Sequence, residues 1–146
     1  MNKKITKYTS AAILITFVTG SLYVAGLMGV STISNKLSPK INSQTQLEEV
    51  VEREKKKLDP LNKFNISAKL SPRKVAVSRS LRNGKYEIEI DENYATESRV
   101  KHELYHIIDG HCDDVYMIKS KLGRNLKYLF WYEPQAVIYQ STGLKP

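Results

Sequence analysis

Two histidines four residues apart, with a glutamate beside the first, stand in His102-Glu103-Leu104-Tyr105-His106. On an α-helix side chains four apart lie on one face, one turn apart, so two imidazoles can reach one cation. Glu103, one step away, can stand beside that cation without binding it and act on a water there. A catalytic zinc site takes three protein ligands and leaves a fourth position for water, so a third donor is needed. Glu133, in Trp131-Tyr132-Glu133-Pro134-Gln135-Ala136, is the expected one. An acid in apolar company is costly unless it is paired or bound to a cation. Pro134 suits a first helical turn, and the small Ala136 lets this helix approach the first one closely. The plainer alternatives are two surface histidines on an amphipathic helix, and an acid attracted to the free amides of a helix start.

Other residues compete for these roles. His111 lies five past His106, and Gly110 four past it. In three-histidine zinc enzymes the third His comes six past and a Gly three past, so both landmarks are displaced by one. Asp109 falls on nearly the same helical face as the two histidines and is a candidate acceptor from a ligand imidazole. Cys112 could bind a soft metal, or simply be packed or free. As the only cysteine it excludes an intrachain disulfide framework. Asn65-Ile66-Ser67 matches a glycosylation acceptor.

His102, Glu103 and His106, with Glu133 and Ala136 downstream, resemble the gluzincin class of zinc metallopeptidases in the compact form called minigluzincins. The resemblance covers roughly residues 74–139. It implies an α+β, zincin-like domain with a small sheet, an active-site helix and a second helix bringing Glu133. It also implies Zn²⁺ held by His102, His106 and Glu133, with Glu103 as general base in hydrolysis of a peptide or protein substrate. Larger members often carry an Asp four residues after the ligand Glu. Here that position is Val137, which leaves the outer partner absent or supplied by Asp109 or Asp113. Tyr139, His111 and Tyr105 are the candidates for stabilising the oxyanion. The alternative is a non-catalytic, zinc-stabilised interaction domain, favoured if His111 or Cys112 closes the fourth position.

The elements that must position these groups are legible in outline. Val100, Leu104, Ile107 and Ile108 follow helical spacing from Ala95 or Thr96 to about Asp109, opposite the ligand face, and Gly110 supplies a stop. A second helical region begins near Asp113. The apolar stretch Leu126–Tyr139 should pack against the first helix. Upstream, Lys74–Ser78 and Lys85–Ile90 flank Asn83-Gly84, the strongest short hairpin signal. Tyr86, Ile88 and Ile90 share one face of the second strand, and that strand is a candidate for pairing with an extended substrate. Phe64–Ala68 reads as a short strand. Leu47–Leu58 reads as a helix ended by Asp59-Pro60, its acids early and bases late.

The N-terminal part reads differently. Residues 8–35 carry no charge, and Ala11–Val30 is apolar for twenty residues, enough for a helix to cross a hydrocarbon layer. Lys3, Lys4 and Lys7 precede it, which favours an inside N-terminus. The expected organisation is therefore a cytoplasmic tail over 1–10, a transmembrane signal anchor over 11–33, a linker over 34–46 and the metallopeptidase-like domain over 47–146. This places the domain outside the cytoplasm on a single-pass anchor, or secreted if the segment is a cleaved signal. Of the 23 bases four precede residue 37, so the remaining 19 oppose all 15 acids, a balance of +4. With no basic stripe or RNA-binding signature, that excess does not indicate nucleic acid. About 110 residues suffice for one modest core and exclude a multi-domain enzyme.

Overall fold

The computed structural model describes the backbone of residues 3–146 and the side chains of residues 19–146 except 82, 115 and 116. A long helix, α1 (Lys3–Leu37), leads into α2 (Gln44–Leu58) and the strands β1 (Asn65–Ser71), β2 (Ala76–Ser80) and β3 (Lys85–Asp91). Then come α3 (Glu97–Ile108), α4 (His111–Met117), α5 (Lys121–Lys127), a π-turn (Tyr128–Tyr132) and α6 (Glu133–Thr142). The architecture is α+β with one three-stranded sheet of order β1-β3-β2. β2 and β3 form the antiparallel hairpin that Asn83-Gly84 predicts, and both turn residues take positive φ (68° and 67°). β1 joins the other side of β3 in parallel, Asn65 opposite Lys85.

The central strand therefore has no free edge, so Lys85–Ile90 cannot pair with a substrate as expected. The edge nearest the ligand helix is β2. The alternation of β3 is used on both faces. Tyr86, Ile88 and Ile90 are buried in the core with Val100, Leu104 and Ile107 of α3 and with Leu47, Val50 and Val51 of α2. Each such fully buried aliphatic side chain contributes roughly 1.5–3 kcal/mol. On the opposite face Glu89 meets Arg79 at 2.9 Å and Glu87 meets Lys69 at 3.1 Å.

The helix starts are capped as their residue types require. Ser43 accepts from the Gln46 amide before α2, and Thr96 accepts from the Arg99 amide before α3. Gly110, at φ 76°, ends the ligand helix. The fully buried Ala136 lies in a small cluster with Tyr105 and Tyr139, where α6 packs on α3. Much of the rest of Leu126–Tyr139 is exposed, including Phe130, Trp131 and Ile138. Phe130 stacks on Tyr23 of α1 at 5.8 Å.

The N-terminal reading is corrected. Among the described residues no helix is long and apolar enough to cross a membrane, so the anchor over 11–33 and the localisation built on it are not supported. Residues 11–18 of the apolar run lie outside the described side chains. Beyond them Gly20, Ser21, Gly26, Gly29, Ser31, Thr32, Ser34 and Asn35 dilute the helix, and α1 turns Ser31, Ser34 and Asn35 to the protein rather than a uniformly apolar surface outward. The linker expected over 34–46 is not free either. α1 runs through Leu37, Lys40 pairs with Thr96, Ile41 is buried and α2 begins at Gln44.

Candidate metal centre

α3 presents His102 and His106 one turn apart, and the first turn of α6 brings Glu133 to them across the close contact at Ala136. The Nε2 atoms of the two histidines are 3.2 Å apart. Oε2 of Glu133 lies 3.5 Å from Nε2 of His102, and Oε1 lies 3.3 Å from Nε2 of His106. Tetrahedral ligands bonded at about 2.0–2.1 Å stand about 3.3 Å from one another; each nitrogen meets a different oxygen of Glu133 near that spacing, and one ligand atom from each of the three residues lies within 4.8 Å of the others, a group that could hold one cation. The side chain of His106 is 2% exposed, that of His102 14% and that of Glu133 25%, which leaves the site open on the Glu133 side.

What holds each imidazole strengthens the assignment. Nδ1 of His102 lies 2.9 Å from Oε1 of Gln140 on α6. An amide oxygen only accepts, so His102 carries its proton on Nδ1 and turns the lone pair of Nε2 into the cluster. Nδ1 of His106 lies 2.9 Å from Nδ1 of His111, whose Nε2 lies 3.1 Å from Asp109 Oδ2. A proton on Nδ1 of His106 and another on Nε2 of His111 satisfy that chain and again leave Nε2 of His106 unprotonated. Two imidazole nitrogens and the two Glu133 oxygens then face one another, each nitrogen within 3.5 Å of one oxygen, an arrangement that needs a cation or a proton among them. In the metal-free chain burial opposes a charge on His102, but Glu133 outweighs it and raises the imidazole above its ordinary range. The same pairing, against burial, holds Glu133 well below the usual carboxylate range. Burial and the neighbouring His106 lower His111, which favours the neutral ring that this relay requires.

The structure thus brings together His102, His106 and Glu133 as the sequence led us to expect, and these three form the one potential metal-binding group among the described residues. His111 stands behind His106, on the ring nitrogen that faces away from the cluster, and is not the third ligand. Neither Asp109 nor Asp113 reaches a ligand imidazole: Asp109 acts through His111, and Asp113 accepts from the Tyr86 hydroxyl at 2.7 Å. Cys112 packs against Ser78, its thiol pushed up to about 11 by burial.

The three expected oxyanion donors are occupied elsewhere. Tyr139 donates to Glu54 at 3.4 Å, Tyr105 stacks on Tyr139 behind the helix and interacts with Asp109, and His111 is held in the relay. Two residues near the centre were not anticipated. Gln140 lies seven past Glu133, two turns on and nearly the same face, a step that helical periodicity alone makes readable. Tyr128 stacks on His106 at 5.4 Å, and burial with the adjacent Glu133 raises its hydroxyl so that it stays protonated. The π-turn explains its placement. The Glu133 amide bonds to the Tyr128 carbonyl five residues back, so residues five apart share a face.

Glu103 is 7% exposed. It lines a cavity of about 160 Å³ together with His102, Arg99, Ala76 of β2, and Ser31 and Asn35 of α1. A buried carboxylate beside a ligand histidine and next to open space is placed to exchange a proton with a molecule held there.

No family model matches the chain, and no curated protein or solved structure was found to be similar to it. The likeness to gluzincins therefore rests on the sequence motif.

Proposed function

We propose that the chain is a zinc-dependent peptidase with its reacting centre at His102, His106 and Glu133. The observation that carries this reading is the convergence of two imidazole nitrogens 3.2 Å apart on the Glu133 carboxylate, each nitrogen 3.3–3.5 Å from one of its two oxygens, with the proton of each imidazole engaged on the far side. Two imidazole nitrogens and one carboxylate suit zinc among the divalent ions. When bound, the ion would lower the pKa of a water toward about 7 and polarise a carbonyl.

The chain's own residues supply the rest. Glu103 takes a proton from the attacking water and passes it to the leaving amine. Tyr128, protonated and beside Glu133, is placed to donate to the developing oxyanion. The outer edge of β2, whose Ala76 lines the cavity with Glu103, offers backbone groups for an extended peptide. A structural zinc site would close four positions with protein groups. His111 and Cys112 do not do so here, and Glu103 has no role in such a site.

The test is zinc content beside cleavage of a peptide library, wild type against Glu103→Ala. Both should hold about one zinc per chain, and only the wild type should cleave. A zinc-loaded wild type that leaves every peptide intact would sink the peptidase reading.

A further inference from the structure

Ser31 and Asn35 of α1 line the same cavity as Glu103 and His102. Ligand pockets span about 300–1,000 Å³, whereas this space measures about 160 Å³. With α1 in place this partly open space is smaller than a pocket that takes up a stretch of peptide. We propose that α1 is a removable cover of the metal centre, latched through Gln140, and that its undocking admits the substrate. This inference rests on the peptidase reading for its substrate, but not for the motion of the cover.

Among the described side chains, α1 is held by a stack of Tyr23 on Phe130 at 5.8 Å and by polar contacts. The Gln140 amide nitrogen donates to the Ser31 carbonyl at 3.1 Å, while its oxygen accepts from His102. Ser34 meets Ser98 hydroxyl to hydroxyl at 2.7 Å, and Thr96 donates to Asn35 at 3.2 Å. None of the described side chains of α1 is buried, and Leu22, Met28, Val30 and Ile33 remain exposed. The core begins only at Ile41, which is 2% exposed. Segments with few buried apolar contacts open at low free-energy cost, and water can satisfy each group released. The fastening lies just beyond the helix. The Ile41 amide bonds to the Ala95 carbonyl and the Glu97 amide to the Pro39 carbonyl, so α1 can swing away while the chain stays anchored.

The latch has a chemical logic. A backbone carbonyl can only accept, so the Ser31 carbonyl draws the NH₂ end of Gln140 and leaves the amide oxygen for His102. Docking of α1 and orientation of a metal ligand thus share one side chain, and the closed form shields the site while keeping it assembled.

A reversible cross-link tests this. Disulfides require Cβ atoms about 3.5–4.5 Å apart, a separation that hydroxyls in contact allow, so Ser34→Cys combined with Ser98→Cys should oxidise readily in the full-length, zinc-loaded chain. Neither position belongs to the metal centre. The oxidised form should release zinc to a chromogenic chelator at least about tenfold more slowly than the same protein after reduction with a phosphine, since a cover limits access. Peptide cleavage should change in the same order. Because oxidised and reduced forms are one protein, a folding defect cannot produce the difference. In a second variant, Ser34→Arg should wedge the helix open and release zinc faster than wild type. Failure of the disulfide to form, or equal release rates in both redox forms, overturns the cover. Unequal release with no cleavage in either form upholds the cover and overturns the peptidase reading. A chain that binds no zinc overturns both.

Discussion

Replacing Glu133 by alanine removes the one carboxylate from a set whose other members are neutral imidazoles. Removing one partner from a buried, charge-paired set costs about 3–5 kcal/mol, and about 1.4 kcal/mol corresponds to a tenfold change in affinity. The Glu133 side chain is 25% exposed, so water replaces part of what it provides. The lower end applies, a loss of about 10²-fold in zinc affinity. The measurement is competition with a chromogenic chelator at neutral pH, beside thermal melts at fixed free zinc. Zinc at a hundred times Kd adds about 2.7 kcal/mol, which raises Tm by roughly 5–10 °C for a chain of this size. Glu133→Ala should lose most of that rise at the same zinc concentration, while Glu103→Ala should keep it. A Glu133→Ala protein that binds zinc within about threefold of wild type would refute the ligand set.

Other outcomes follow from the groups around the centre. His111→Ala leaves Nδ1 of His106 without its 2.9 Å partner and should weaken zinc binding by about 10–100-fold, read by the same competition. Tyr128→Phe should retain zinc and lower kcat by about 10²-fold in steady-state peptide cleavage, because a donor to the oxyanion is removed and no ligand is. Tyr86→Phe removes a hydrogen bond to Asp113, and its cost is about 1 kcal/mol, since Asp113 is exposed and screened. That bond, with burial, pushes the Tyr86 hydroxyl up to about 12. The stabilisation is therefore fully present below about pH 10, the unfolded value, and fades as pH rises through about 12. Denaturation midpoints of wild type and variant should differ at neutral pH and converge toward pH 12.

The centre was legible where chemistry depends on local spacing. His102 and His106 share a face by periodicity alone, and Glu133 was conspicuous as an acid among apolar neighbours. The hairpin announced itself through Asn83-Gly84, and the core face of α3 through Val100, Leu104 and Ile107. What escaped depended on three-dimensional context. β3 was taken for an available edge because nothing local shows that β1 returns to its far side in parallel. Asp109 was placed beside a ligand by its helical angle, yet Gly110 turns the chain and inserts His111 between them. Tyr128 was invisible to any count in steps of 3.6 residues. In α1 the uncharged run hid a second pattern: Ser31, Ser34 and Asn35 recur at one-turn intervals, a polar stripe fitted to α3 and α6.

The five-residue turn before α6 has a consequence for how this sequence can diversify. In a regular helix each residue advances the direction of a side chain by about 100°. Deleting one position between Leu129 and Trp131 would relax the turn into an ordinary α-helix and rotate Tyr128 away from Glu133. Inserting one would swing the carboxylate itself off the histidines. Trp131 is exposed and open to exchange, so the spacing of this stretch, more than its lettering, is what selection for an intact centre must hold constant.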